Sequence, residues 1–112
     1  MKCYYALYMD EKIRRQKEEI LQNIQNDKWQ FEKYLITLAK NAKNHLEIYH
    51  SVLLIQKAIP QEDLFLVGIA GGYEEALELV EKITQEVYDA TKGTDIRNYI
   101  LYKQQEYEEG NV

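Results

Sequence analysis

One cysteine, Cys3, stands in the 112-residue chain, so no internal disulfide can form and the fold must rest on its core. One proline, Pro60, and one serine, Ser51, exclude Pro-rich or Ser-rich linkers, and no low-complexity tract or internal period divides the chain. No apolar run approaches the roughly 20 residues of a membrane span. The opening M-K-C-Y-Y-A-L-Y-M-D lacks the apolar stretch and small-residue cleavage site of a secretory or lipoprotein signal, so a cytoplasmic protein is the expectation. Basic residues are outnumbered 14 to 19, and a net charge of −5 repels phosphate backbones. What is present is 46% hydrophobic and 29% charged, the balance of one small globular domain. That domain is expected over 1–105, with a polar, frayed tail over 106–112.

Residues 3–9, C-Y-Y-A-L-Y-M, are aromatic and apolar on both alternating sets and predict a covered strand. A helix follows over 10–26, with Asp10 as its cap, a thin apolar stripe of Ile13, Ile20, Leu21 and Ile24, and surface pairs of Glu11 with Arg15 and Arg15 with Glu19. A second strand is predicted over 31–39, with the Asn-containing turn K-N-A-K-N after it. Over 46–57 two periods compete. Leu46 and Ile48 alternate as in a hairpin strand leading to a helical turn near Val52 to Lys57, while Leu46, Tyr49, His50, Leu53 and Leu54 share a helical face.

D-L-F-L-V-G-I-A, residues 63–70, is a continuous apolar run of strand length that Gly71 and Gly72 end, and it predicts a buried strand. From Tyr73 to Thr91, Ala76, Leu77, Val80, Ile83, Val87 and Ala90 recur at helical spacing, with Gly93 as the stop. Thr94 or Asp95 caps a final helix over about 94–105 that carries Ile96, Tyr99 and Ile100. The order predicts an α/β (α+β) two-layer sandwich, a small mixed sheet of about four strands with helices mainly on one face, for which a ferredoxin-like topology is the nearest named arrangement. Strands 3–9 and 31–39 would pair in parallel if the helix between them is a crossover, and 31–39 with 46–49 would form an antiparallel hairpin.

One stretch has the shape of a ligand site. V-G-I-A-G-G-Y-E-E-A runs from a buried strand through glycines into a helix N-terminus, where backbone N–H groups and the helix dipole attract anions. Gly68, Ala70, Gly71, Gly72 and Tyr73 are therefore the candidate ligand-binding residues. The stretch is neither G-x-G-x-x-G nor a P-loop, and Glu74 and Glu75 already occupy the favourable end of the dipole, with Glu75 placed to cap Gly72. A tight strand-to-helix turn is the plainer explanation.

The other chemistries find no constellation. His45 and His50 are five apart, which turns them to different faces in helix or strand, so no metal site is expected. The lone serine lies in H-S-V rather than a nucleophile elbow, and Cys3 in an apolar strand acts as a small hydrophobe, so no catalytic residue and no cofactor is assigned. Lys12, Arg14, Arg15 and Lys17 scatter around a helix and are interrupted by Glu11, Glu18 and Glu19, which argues against nucleic acid. Ten tyrosines against two phenylalanines are the compositional oddity. Tyrosine joins apolar area to a hydroxyl that needs a partner, which suits half-wet rims and protein interfaces. A homodimer or another protein partner is thus the leading expectation, with Tyr4, Tyr8, Tyr99 and Ile100 as interface residues, and small-molecule or anion sensing at 68–73 the alternative.

The stretch from Asn44 to Tyr99, with L-E-I-Y, then L-F-L-V-G-I-A-G-G-Y-E-E-A-L-E-L-V, then E-V-Y and D-I-R-N-Y, together with the opening Y-Y-A-L-Y, resembles a family of short uncharacterised bacterial proteins. The resemblance implies one small domain of bacterial origin and brings no activity, cofactor or site residue with it.

Overall fold

A strand that is apolar on both faces needs a neighbour at each edge and a layer over each face. In the computed structural model, which describes residues 1–26, 28, 32–39 and 46–110, the run after Leu64 becomes β4 (Phe65–Ala70), buried at all but its first residue. It lies inside a four-stranded sheet of order β1-β4-β2-β3. β1 (Lys2–Met9) pairs with it in parallel, and β2 (Tyr34–Leu38) pairs with it antiparallel. The expected hairpin is formed, since β2 and β3 (Leu46–His50) are antiparallel with Ile36 opposite Ile48. The turn expected at 40–44, His45, and the last two residues of the chain lie outside the described residues.

The α/β class and the mixed sheet are as expected, but the strand order is not ferredoxin-like. β1 stands at the edge, and β4 separates it from β2, so the parallel pairing of 3–9 with 31–39 does not occur. The reason is the double-sided apolar run of β4, which has to take an interior position.

Helices cover both faces, unequally. α1 (Glu11–Arg14), α2 (Lys17–Gln25) and α3 (Val52–Ile55) set Ile13, Ile20 and Leu54 against Leu35, Leu66 and Ile69. α4 (Tyr73–Thr91) and α5 (Ile96–Glu108), much the longest helices, share the opposite face. There Ile83, Val87, Ile96 and Ile100 meet Tyr4, Leu38 and Val67, while Ala76 and Leu79 meet Ile36 and Ala70.

Local departures refine the sequence expectations. The helix over 10–26 is two, broken at Arg15 and Gln16, and Arg15 pairs with Glu11 at 3.3 Å on a fully solvated surface. α4 buries Ala76, Leu79, Ile83 and Val87, leaving Leu77 and Ala90 exposed, because the helix is rotated about its axis so that Leu79 points inward. Its stop is Lys92 in the left-handed conformation at φ 61°, one residue before Gly93. α5, capped by the Asp95 carboxylate on the Asn98 N–H, runs to Glu108 and not to 105. Residues 106–108 are helical because Tyr107 stacks on Tyr5, with ring centroids 4.5 Å apart.

Two irregularities meet at Gly68. Along β4, Ile36 faces Gly68 and Thr37 faces Leu66, which leaves Val67 as an extra residue. On the other side Cys3 faces Leu66 and Tyr8 faces Gly68, so β1 spends five steps where β4 spends two. β1 returns so closely that a Cβ at position 68 would stand 2.9 Å from the Tyr8 carbonyl oxygen. Gly68 is therefore required for close backbone approach. Gly68→Ala is expected to lower unfolding free energy by about 1–3 kcal/mol, because the opposing atom is backbone and cannot swing aside. Urea denaturation of wild type and variant measures this, and equal midpoints would show that β1 shifts at no cost.

Candidate functional site

The candidate ligand residues span the end of β4 and the start of α4. β4 delivers Gly68 and Ala70 in the buried sheet, and Gly71, Gly72 and Tyr73 turn the chain into α4. The Gly71 amide there is already engaged by one of the protein's own carboxylates. Asp10 accepts from the Ile13 N–H at 2.9 Å through Oδ1, capping α1, and from the Gly71 N–H at 2.7 Å through Oδ2. The Glu75 carboxylate folds back over Gly72 and fills the space a side chain there would need. Two negative groups at the positive end of α4 do what a bound anion would do, and they repel one. The open hollow beside this turn, about 560 Å³, is walled by α1 and α4 through Asp10, Glu11, Arg14, Glu75, Glu78 and Lys82. Its mixed signs present no coherent field to a phosphate. The amide of Gly71 serves architecture, tying α1 to the start of α4.

The predicted interface residues divide differently. Tyr4 is 4% exposed and Ile100 is 0% exposed, so both belong to the core between β1, α4 and α5 and neither can meet a partner. Tyr8 and Tyr99 are half-buried beside them, and both hydroxyls donate to Glu86 on α4, Tyr99 at 3.2 Å. The tyrosine excess thus has an internal explanation here, because a carboxylate and stacked rings satisfy hydroxyls that a small core leaves near water. Burial raises the pKa of Tyr8 above the usual tyrosine value, reinforced by its bond to Glu86, and burial does the same for Tyr99. On the other sheet face Tyr49 donates to Glu47, and that bond, followed by burial, pushes it up to about 12. The Cys3 thiol is raised by burial, against the activation a nucleophile needs.

His50 uses Nδ1 to accept from the Val52 N–H at 3.0 Å, capping the turn into α3. Among the described residues no group of three His, Cys, Asp or Glu side chains is placed to hold a metal ion, and no helix is long and apolar enough to cross a membrane.

The feature sequence reading missed is an apolar flank on α4. Tyr73, Leu77 and Tyr88 are 53%, 46% and 49% exposed, and with half-buried Val80 and Thr84 they recur at helical spacing along one side of the helix. This side borders β3, whose Leu46 and Ile48 are only half-buried in the cluster under α4. Tyr73 meets the ring of Tyr34 edge-on at 5.7 Å, and the ring of Tyr34 meets His50 at 4.9 Å. The missed signal was legible as a second stripe, one residue on from the buried one, but periodicity alone cannot tell which of two adjacent apolar stripes faces the sheet. No protein-family model, curated protein or solved structure matches the chain.

Two outcomes follow from these contacts. Asp10→Ala is expected to cost about 1–2 kcal/mol, with Asp10→Asn recovering part of it as a neutral cap, both read by urea denaturation. No loss in the alanine variant would mean that water replaces both bonds. In alkali, the tyrosines with raised values are held neutral by the fold, so their stabilisation is complete below the ordinary value of 10.0 and is lost as pH rises through the folded values. Tyrosinate absorbance should therefore show a fraction of the rings ionising above pH 10 together with loss of circular dichroism. Titration of every ring near 10 with the fold intact would contradict this.

Proposed function

We propose that the protein acts by self-association, through the apolar flank of α4 and the half-covered strand beside it. The observation that carries this reading is the continuity of the surface. Tyr73, Leu77 and Tyr88 are three of the six large apolar side chains exposed among the described residues, and they fall on one flank of a single helix. That flank adjoins Leu46, Ile48 and Tyr34, which α4 leaves partly uncovered. Scattered apolar residues on a surface need no explanation, but a contiguous strip rimmed by polar groups marks an association surface. Its rims are Glu74 and Glu81 on α4 and Lys92 at its end, the last lying over the Tyr88 ring at 5.8 Å.

The two exposed tyrosines of the strip, Tyr73 and Tyr88, also support the reading, since tyrosine supplies large rigid contact area at low entropic cost and is enriched at interfaces. The glycine junction offers less to a ligand, since Asp10 takes the Gly71 amide and the Glu75 carboxylate lies over Gly72. Light scattering at two concentrations about 30-fold apart tests the proposal by mass action. A dimer is expected for the wild type. Leu77→Glu, which places charge in the middle of the strip without entering the core, is expected to give a monomer with unchanged circular dichroism. A wild-type monomer at both concentrations overturns the proposal.

A further inference from the structure

The two edges of the sheet are treated in opposite ways. β1 is guarded: its middle bulges away from β4, the Tyr5 N–H donates to Gln104 Oε1 of α5 at 2.8 Å, and Tyr107 covers the Tyr5 ring. Bulges and covering helices are the usual means by which proteins keep an edge strand from pairing with another chain. β3 has none of these. L-E-I-Y-H contains no proline, no lysine and no bulge against β2, and no described residue pairs with its outer edge.

The ladder determines which groups that edge presents. The Ser51 N–H donates to the Lys33 carbonyl at 2.8 Å, and Tyr34 stands opposite His50, so the inward-bonding residues of β3 are Glu47 and Tyr49. Leu46, Ile48 and His50 therefore direct their N–H and C=O groups outward. Their side chains lie on the α4 face, next to the apolar flank.

We infer that two copies of this chain pair antiparallel through β3, with Ile48 opposite Ile48 on the two-fold axis, joining two four-stranded sheets into one. The inference rests on the self-association reading and names its geometry. This register sets each outward residue against an outward residue, Leu46 against His50 of the second copy and Ile48 against itself, for about six backbone hydrogen bonds. It also avoids a like-charge contact. Glu47, the one acidic residue of the strand, faces Tyr49 of the second copy rather than another glutamate.

The register further accounts for the size of the exposed side chains on α4. The helix packs over β4 and β2, so its axis lies about two strand spacings from the two-fold, and the two α4 axes stand roughly 20 Å apart. Directly packed helices lie 8–10 Å apart, so only large side chains can close that gap. Because α4 runs antiparallel to β4, Tyr73 sits at the His50 end of β3 and Tyr88 at the Leu46 end. In the antiparallel pair, Tyr73 of one copy then approaches Tyr88 of the other.

The full-length chain tests this by light scattering and disulfide trapping. Ile48→Pro removes an N–H that β2 does not use, at an edge where proline is tolerated, and is expected to raise the dimer dissociation constant at least roughly 100-fold with circular dichroism preserved. In a Cys3→Ala background, Ile48→Cys is expected to cross-link rapidly on mild oxidation, since hydrogen-bonded partners have Cα atoms about 5.5 Å apart. His50→Cys is expected not to, because residue 50 then lies four steps, about 14 Å, from its copy. A dimer that Leu77→Glu dissociates, but that survives Ile48→Pro and does not trap at 48, overturns the strand pairing and leaves self-association standing. A wild-type monomer overturns both.

Discussion

The architecture depends on one strand that is apolar on both sides. β4 cannot lie at an edge or leave a face open without exposing a run of buried residues, and every other element can be understood as meeting one of its four demands. β1 and β2 supply its edges, α4 and α5 one face, and the three short helices the other. Gly68 is where these demands conflict, since the bulge against β2 and the return of β1 both occur there. The absence of a side chain allows three backbones to converge.

Carboxylates organise the periphery of this core. Asp10 joins α1 to the turn that starts α4, and Glu86 gathers the hydroxyls of Tyr8 and Tyr99. Each carboxylate satisfies two donors from separate parts of the chain, which is more than a surface ion pair such as that of Arg15 with Glu11 contributes. At the glycine junction, too, a carboxylate of the protein itself, Asp10, takes the Gly71 amide.

The sheet is covered unevenly at its two edges. α5 crosses toward β1 and protects that edge, whereas no strand among the described residues pairs with the outer edge of β3. An edge with outward backbone groups and apolar side chains beside it is a template on which another strand can pair. The proposed pairing of two copies answers that exposure with the strand's own outward backbone groups.

Much of this was legible in the chain alone. The continuous run at 63–70 determined a buried strand, the 3.6-residue period of 73–91 a long helix, and Asp10 and Asp95 the helix starts, because each follows from local backbone geometry and side-chain periodicity. What only the tertiary structure decided was which surfaces those elements share. Strand order placed β1 at an edge, the rotation of α4 exposed Leu77 and buried Leu79, and the crossing of α5 took Tyr4 and Ile100 into the core. Periodicity specifies that a face is apolar but not what it meets, and contacts between residues nearly a hundred positions apart, as between Tyr5 and Gln104, leave no mark on local pattern.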